Sequence, residues 1–362
     1  LEGLSQSGFE PFLVCSDDAP AHDVARVTGI THLAIPLKAE ISLLSDVGAV
    51  IKLARHIRRI RPAAVHAHMS KAGLASMLAS WAMRVPVRIY HNHGMACFSS
   101  TGLSRWILMT VERVNCTLAT DIIFCSNSTR ELAIELGICT SAKSMVIGKG
   151  TISGVDTQRF SPQSAAIEAD QLRSTISDAS SGKRYIGFVG RVVAHKGVDT
   201  LISAWALLPA EFRSKWTLLV AGSHNSDGLY SRLDALVRND ESVQYLGRLD
   251  NVVGLYGLLD ALVLPSWHEG FPYSVLEAQA CGVPAIVTDV TGNRDAVIDE
   301  VTGSLVEVRS PDSLAISIEN LLSDDALLEK MSISARDRVV KDFNEEVVLA
   351  NLLTFYNEKV AA

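Results

Sequence analysis

The chain has little of what marks a membrane-spanning, secreted or nucleic-acid-binding protein. No apolar run in its 362 residues approaches the roughly 20 needed to cross a bilayer, and the most hydrophobic short runs, such as Trp106 to Val111, have charge within a turn or two. Nothing at the start has the pattern of a signal peptide. Cys15, Cys97, Cys116, Cys125, Cys139 and Cys281 form no C-x-x-C pair and no His/Cys ligand spacing. They read as buried free thiols in a reducing cytosol. A formal net charge of −7 argues against a general nucleic-acid binder. Also missing is a G-x-G-x-x-G followed about 20 positions on by an acidic residue, which leaves a dinucleotide-dependent oxidoreductase without its fingerprint.

What is present is ample core material, with 48% apolar and 20% charged residues in a chain too long for one ordinary core. Short apolar strands alternate with helices, the pattern of parallel sheets covered on both faces. In the first part, strands are expected at 12–16, 64–67, 87–90, 121–126 and 144–147, with helices at 47–60, 71–83, 103–119 and 129–136. The apolar side of the 47–60 helix is expected to comprise Val47, Val50, Ile51, Ala54, Ile57 and Ile60. Residues 161–183, rich in Ser, Ala, Asp and Gln, have the make-up of a surface connection. A second alternation follows, with strands at 184–189, 217–221, 243–246, 261–264 and 284–288. The expected organisation is an N-terminal Rossmann-like domain over 1–160 and a C-terminal one over 161–340. A closing helical segment, 341–362, crosses back to the first. Ligands of such sheets sit at the carboxyl ends of the strands, here in a cleft between the two domains.

Two segments carry chemistry. Gly187-Phe188-Val189-Gly190-Arg191 and then His195-Lys196-Gly197 bridge a strand and a helix. Glycines let the backbone turn and approach a ligand, the helix start supplies unpaired N–H groups, and Arg191 and Lys196 are two cations placed for one polyanion. An ordinary glycine-mediated turn with two solvated cations is the competing reading. The second segment runs from Pro265 through Trp267-His268-Glu269-Gly270-Phe271-Pro272-Tyr273 to Glu277 and opens a helix. Pro272 suits its first turn and Gly282 its end, and the N–H groups of Gly270, Phe271 and Tyr273 are expected to face the ligand. Eight helical residues rise about 12 Å, more than the roughly 5–9.5 Å between glycosidase carboxylates. Glu269 and Glu277 therefore fit a ligand with hydroxyls at both ends, such as a nucleotide sugar, better than a hydrolytic pair. The plainer alternative for Glu277 is a helix-surface acid.

Together these segments resemble glycosyltransferase family 4, retaining enzymes of the GT-B fold. The family's G-R-x-x-x-x-K-G is Gly190 to Gly197, and its later signature is PSWHEGFPYSVLEAQACGVPAIVTDVTGNRDAV, Pro265 to Val297. AVHAHMSKAGLASMLA (64–79), YHNHGM (90–95) and IGKGTISGVDTQRF (147–160) are similar to the branch that builds bacterial surface polysaccharides on lipid carriers. The resemblance implies that Arg191 and Lys196 bind the donor diphosphate and stabilise the leaving group. It places Glu269 beside the transferred sugar and Glu277 on the ribose hydroxyls. The N–H groups from Gly270 to Tyr273, around Pro272, contact sugar and phosphate, and His93 reaches the sugar from the other domain. It implies transfer with retention and without a metal or other cofactor, from a UDP-sugar as substrate to an undecaprenyl-diphosphate-linked acceptor at the cytoplasmic face of the membrane. Family members usually begin with a strand and a glycine-rich loop. Leu1-Glu2-Gly3-Leu4 matches the helix after that loop, so a central strand of the first sheet is expected to be missing. A non-catalytic nucleotide-sugar-binding protein is the alternative that this leaves open.

Weaker signals remain. His66 and His68 alternate at one strand end, and His91 and His93 at another; with no carboxylate completing a metal site, they read as hydrogen-bonding histidines. Gly148-Lys149-Gly150 is a phosphate nest or a plain turn. Arg55, His56, Arg58, Arg59 and Arg61 form a basic helix face, either solvated or resting on anionic lipid. Trp106, Ile107 and Leu108 are either core or a lipid contact.

Overall fold

A computed structural model of the chain describes residues 2–16, 18–36, 42–98, 100–176, 183–224 and 228–360. It folds as two compact units, Leu1–Gly148 with Leu349–Ala362, and Lys149–Val348. The division falls inside Gly148-Lys149-Gly150, twelve residues before the expected 160/161 boundary. Gly148 and Gly150 both take positive φ there, as a tight chain reversal requires.

In the first unit the strands are β1 (Phe12–Cys15), β2 (Thr31–Ala34), β3 (Ala64–His68), β4 (Val87–Asn92), β5 (Asp121–Phe124) and β6 (Ser144–Val146). They form two parallel sheets, β1-β2 and β3-β4-β5-β6, which share no hydrogen-bonded strand pair among the described residues. The β2 strand and the helix Ala19–Thr28 before it have no counterpart in the sequence reading. The core gathers Met77, Tyr90, Ile122 and Phe124 on one side of the larger sheet. On the other, Ile89 and Ile123 pack with Phe355 and Tyr356. Those two aromatics belong to the last helix, Glu345–Val360, whose Lys359 pairs with Asp121 at 2.5 Å.

One helix face differs from expectation. In Leu43–Ile60 the expected Ile57 is buried and Val50 and Ala54 pack beside it, but Ala49 and Leu53 complete the buried side, whereas Val47 and Ile51 are 57% and 46% exposed. Apolar residues occur on more than one side of this helix, so periodicity alone does not select the face that docks. Of the Trp106, Ile107 and Leu108 run in the helix Gly102–Leu118, only Leu108 packs on the core. The six cysteines are free, four of them buried and Cys15 and Cys139 half-buried.

In the second unit, β7 (Arg184–Val189), β8 (Trp216–Ala221), β9 (Val243–Gly247), β10 (Ala261–Leu264), β11 (Ala285–Thr288) and β12 (Gly303–Val306) make one parallel sheet. Its order is β12-β11-β10-β7-β8-β9. The chain lays β8 and β9 on one side of β7, then returns to place β10 on the other, so the winding reverses between β7 and β10. Crevices at such reversals, beyond the carboxyl ends of the strands, are where open α/β sheets bind ligands.

The Ser- and Ala-rich segment after residue 161 is not a loop. Pro162–Arg173 is a helix capped by the Ser161 hydroxyl. Its small buried Ala165 and Ala169 allow contact with the helix Val253–Tyr256 and the residues after it. A Cβ on Gly254 or Gly257 would lie 2.6 and 2.1 Å from the carbonyl oxygens of Glu168 and Ala165. A composition that looks like a linker is here the composition of close helix packing. Residues 177–182 of the expected connection lie outside the described residues, as does Leu1 at the start.

Candidate active site

Both sequence motifs converge on the reversal in the second sheet. β7 runs into Gly190, whose N–H donates to the Ala221 carbonyl at 3.0 Å, so the strand ends locked to β8. Gly187, two residues earlier, serves packing: a Cβ there would lie 2.3 Å from Leu259. After Gly190 the chain passes exposed Arg191, makes a single turn over Ala194–Lys196, and enters the helix Val198–Leu207 through Gly197. Gly197 has φ +73°, and a Cβ on it would lie 1.8 Å from the Pro265 carbonyl oxygen. Only glycine allows the loop after β7 to press this closely on the loop after β10.

That contact brings the charged groups together. Lys196 Nζ donates to Glu269 Oε1 at 2.5 Å, and the Ser266 hydroxyl donates to the same oxygen at 2.7 Å. The lysine and glutamate side chains are 19% and 10% exposed, so the pair is largely desolvated. A hydrogen bond from Trp267 N–H to the His195 carbonyl, at 2.8 Å, ties the two loops again. A third loop, after β11, backs them. Thr288 donates to the Ser266 carbonyl, Asn293 donates to the Thr288 carbonyl at 3.0 Å, and a Cβ on Gly292 would lie 2.5 Å from the Gly270 carbonyl oxygen. Thr288, Gly292 and Asn293 lie within the signature segment but carry no individual sequence signal; they hold the backbone of 266–270 in place.

Beyond Glu269 the chain passes Gly270 and buried Phe271 into the helix Tyr273–Ala280. Pro272 occupies the capping position just before this helix, and its carbonyl accepts from Val275 and Leu276. Gly282 follows the helix with φ +81°. The first N–H groups of a helix have no partner within it and carry the positive end of its dipole, so this end favours an anion or a polar oxygen. The Tyr273 hydroxyl is engaged by Ser153 N–H at 2.8 Å and by the Thr151 hydroxyl at 3.3 Å, which fixes the turn at 151–153. Glu277 is a half-buried acid rather than an open surface one, and its Oε2 accepts from the Tyr256 hydroxyl at 2.9 Å. Burial raises its pKa, partly offset by that hydrogen bond and by Arg159. Glu269 and Glu277 therefore have separate hydrogen-bond partners, and each is held on its own.

His93 lies in the first unit. Its Nε2 is 2.9 Å from His68 Nδ1, and burial together with His68 lowers its pKa to about 4, so at neutral pH it is uncharged. The loop that carries it is anchored by Glu112, a residue that sequence reasoning missed. This carboxylate, 2% exposed, accepts from Ser70, from the Tyr90 hydroxyl at 2.7 Å and from Asn92 Nδ2 at 3.2 Å. Asn92 in turn accepts from Gly94 N–H at 2.9 Å. The sequence shows Glu112 only as one charge in a helix, so nothing marks it as the acid that spans the ends of β3 and β4.

A sheet with its winding reversal at β7/β10, a glycine turn bearing Arg191 and Lys196, and a helix start beside a lysine-paired glutamate form the kind of crevice in which open α/β sheets bind ligands. Comparison with known proteins gives the family. Residues 1–150 match the model of the glycosyl transferase 4-like domain, and residues 173–338 match that of glycosyl transferases group 1. The chain belongs to the family-4 type of GT-B glycosyltransferases. It is 29% identical over 359 residues to the capsular polysaccharide biosynthesis glycosyltransferase CapM of Staphylococcus aureus, covering 99% of this chain and 92% of that one. It is 26% identical to the UDP-Gal:alpha-D-GlcNAc-diphosphoundecaprenol alpha-1,3-galactosyltransferase of Escherichia coli, covering 95% and 88%. A glycosyltransferase structure from Rickettsia africae superposes with a TM-score of 0.81 at 20% identity, covering 99% of this chain and 92% of that one.

Proposed function

We propose that the chain transfers a hexose or N-acetylhexosamine, with retention, from a UDP-sugar to an undecaprenyl-diphosphate-linked glycan during surface-polysaccharide synthesis at the cytoplasmic face of the membrane. The observation that carries this reading is the Lys196–Glu269 pair, which joins the two motif loops where β7 and β10 meet. The relative from S. aureus supports a place in surface-polysaccharide synthesis, and the name of the one from E. coli supports a UDP-sugar donor and a diphosphoundecaprenol-linked acceptor.

In this proposal Arg191 and Lys196 meet the donor diphosphate. Lys196 has one charge to share, so an arriving diphosphate competes with Glu269 for it and leaves that carboxylate to accept from hydroxyls of the transferred sugar. Glu277, already fixed by Tyr256, takes the ribose hydroxyls, and the N–H groups at Gly270, Phe271 and Tyr273 hold sugar and phosphate oxygens. His93, neutral, acts as a hydrogen-bonding group for the sugar. The bond from the sugar C1 to the phosphate oxygen breaks while the acceptor oxygen bonds to C1 on the same face, and the acceptor proton passes to the leaving phosphate oxygen. Arg191 and Lys196 stabilise the negative charge that builds there.

Two exposed faces of the first unit suit a lipid-linked acceptor. Val47 and Ile51 continue into Arg55, Arg58 and Arg59 along one exposed stripe of their helix. On the helix Gly102–Leu118, Leu103 and Trp106 are 73% and 63% exposed. Apolar and basic side chains on one helix face are what an anionic bilayer surface binds. No helix among the described residues is long and apolar enough to cross a membrane.

The test is calorimetric titration of the chain with UDP, with and without magnesium, beside Arg191→Ala. Binding that is indifferent to magnesium and weakened about 10- to 100-fold by the substitution, the worth of a charge-assisted hydrogen bond, is the expected result. A folded chain that binds no nucleoside diphosphate would sink the donor-site assignment. Co-sedimentation with anionic vesicles, reduced by Trp106→Ser, tests the membrane face; equal recovery in the supernatant with and without vesicles removes it.

A further inference from the structure

The first unit concentrates four histidines in one place. Parallel strands in register project alternate residues to the same side, and His66 and His68 on β3 stand beside β4 with His68 opposite His91. Ring centroids of His66, His68 and His91 lie 4.4 to 5.3 Å apart. One ring nitrogen from each of the three comes within 4.8 Å of the others.

Two features point to a ligand rather than to packing. His91 is 3% exposed, yet neither of its ring nitrogens has a hydrogen-bond partner, and the buried His66 Nε2 has none either. A buried polar atom left unpaired is destabilising, and here such atoms belong to neighbouring rings. One nitrogen of each β3 histidine is already committed. His66 Nδ1 bonds the Tyr356 hydroxyl, and His68 Nδ1 bonds His93 Nε2 at 2.9 Å. When those Nδ1–H groups donate, a lone pair is left on Nε2 of both rings. A metal-binding histidine is oriented in the same way by the partner of its other nitrogen.

We propose that His66, His68 and His91 bind one divalent transition-metal ion of the zinc class, with Tyr356 and His93 as positioning residues. Metal–nitrogen distances of about 2.0–2.1 Å require the three nitrogens to draw closer than they now stand, a movement within reach of small ring rotations. Three nitrogen ligands leave a fourth position for water or another oxygen ligand. The three ligands include none of the donor-motif residues, so metal binding is read independently of Arg191 and Lys196.

The experiment uses the full chain, stripped with a chelator and titrated with Co2+ under visible spectroscopy, then with Zn2+ in competition. Thermal unfolding serves as the folding control and UDP calorimetry as the donor-site control. One Co2+ per chain is expected, with the d–d absorption of a nitrogen and oxygen site, no thiolate charge-transfer band, and displacement by Zn2+. His91→Ala abolishes it, as does His68→Ala, which alters an exposed position and spares the fold. Tyr356→Phe weakens binding by about tenfold, the effect of losing a ligand's orienting partner. A cooperatively folding chain that binds no Co2+ stoichiometrically overturns the proposal, whatever its behaviour toward UDP. So does binding that survives His68→Ala and His91→Ala, or that shows thiolate absorption.

Discussion

The two units are built from the same alternation of strand and helix, yet they end in opposite chemistry. In the second, six strands form one sheet, the winding reverses once, and the two loops at the reversal bring cations and a paired carboxylate together. In the first, the strands divide into sheets of two and four, and the ends of β3 and β4 present neutral imidazoles near a buried glutamate that holds Tyr90 and Asn92. On the readings proposed above, one unit takes an anion and the other a ligand that accepts lone pairs. The common scaffold sets where a site can lie; the side chains at the strand ends decide what it binds.

The sharpest way to break the comparison is through glycine. Gly197→Ala adds a Cβ where the Pro265 carbonyl oxygen is 1.8 Å away, at φ +73°. It is expected to cost at least about 3 kcal/mol, combining backbone strain with overpacking, and to abolish UDP binding. In the first unit Gly29→Ala has a similar φ, +68°, but meets nothing within 4 Å. About 1–2 kcal/mol is expected there, with UDP binding untouched. Chemical denaturation of both variants measures the contrast; equal costs would show that the second unit's loops are not held as tightly as they stand.

Glu112→Ala should rank next, at roughly 2–4 kcal/mol, because it leaves Ser70, Tyr90 and Asn92 without their shared buried acceptor. Glu112→Gln, which keeps an acceptor, should recover part of that loss. A smaller effect is expected for Glu277→Gln. Burial raises the Glu277 pKa in the folded state, so its contribution to stability is present below the unfolded carboxyl pKa and lost as pH rises through the folded value. Near pH 7 the ionised form is the costly one, and the amide should raise the melting temperature slightly while weakening UDP binding. A lowered melting temperature at pH 7 would show that the Tyr256 hydrogen bond outweighs burial. The smallest effect is in hydrogen exchange. Amides of β1 and β2, in a two-stranded sheet with Val14 exposed, should exchange before those of fully buried β8 and β10.

Much of the fold was readable because its signals are local. Apolar runs such as Leu218 to Ala221 and Ala261 to Leu264 can only be buried strands at that length, and Pro and Gly mark where helices begin and stop. The short strands β2 and β12 were not readable. Thr31–Ala34 and Gly303–Val306 read THLA and GSLV, with polar residues or glycine in half their positions, so no apolar run marks them. The Pro162–Arg173 helix was hidden because small and polar residues serve close packing as well as they serve a loop.

Most of the strand and helix order, the glycine positions that permit tight turns, and the two motifs with their charges were set by the sequence alone. Those follow from backbone sterics and the spacing of residue types along the chain. Only the tertiary structure decided that β7 and β10 are neighbours, so that Lys196 meets Glu269 across 73 residues. It alone turned Ala49 and Leu53 inward and Val47 and Ile51 outward, placed Glu112 beneath Asn92, and set His68 against His91. The reason is physical: strand pairing and helix docking are settled by the total surface buried across the fold, a quantity that no local segment contains.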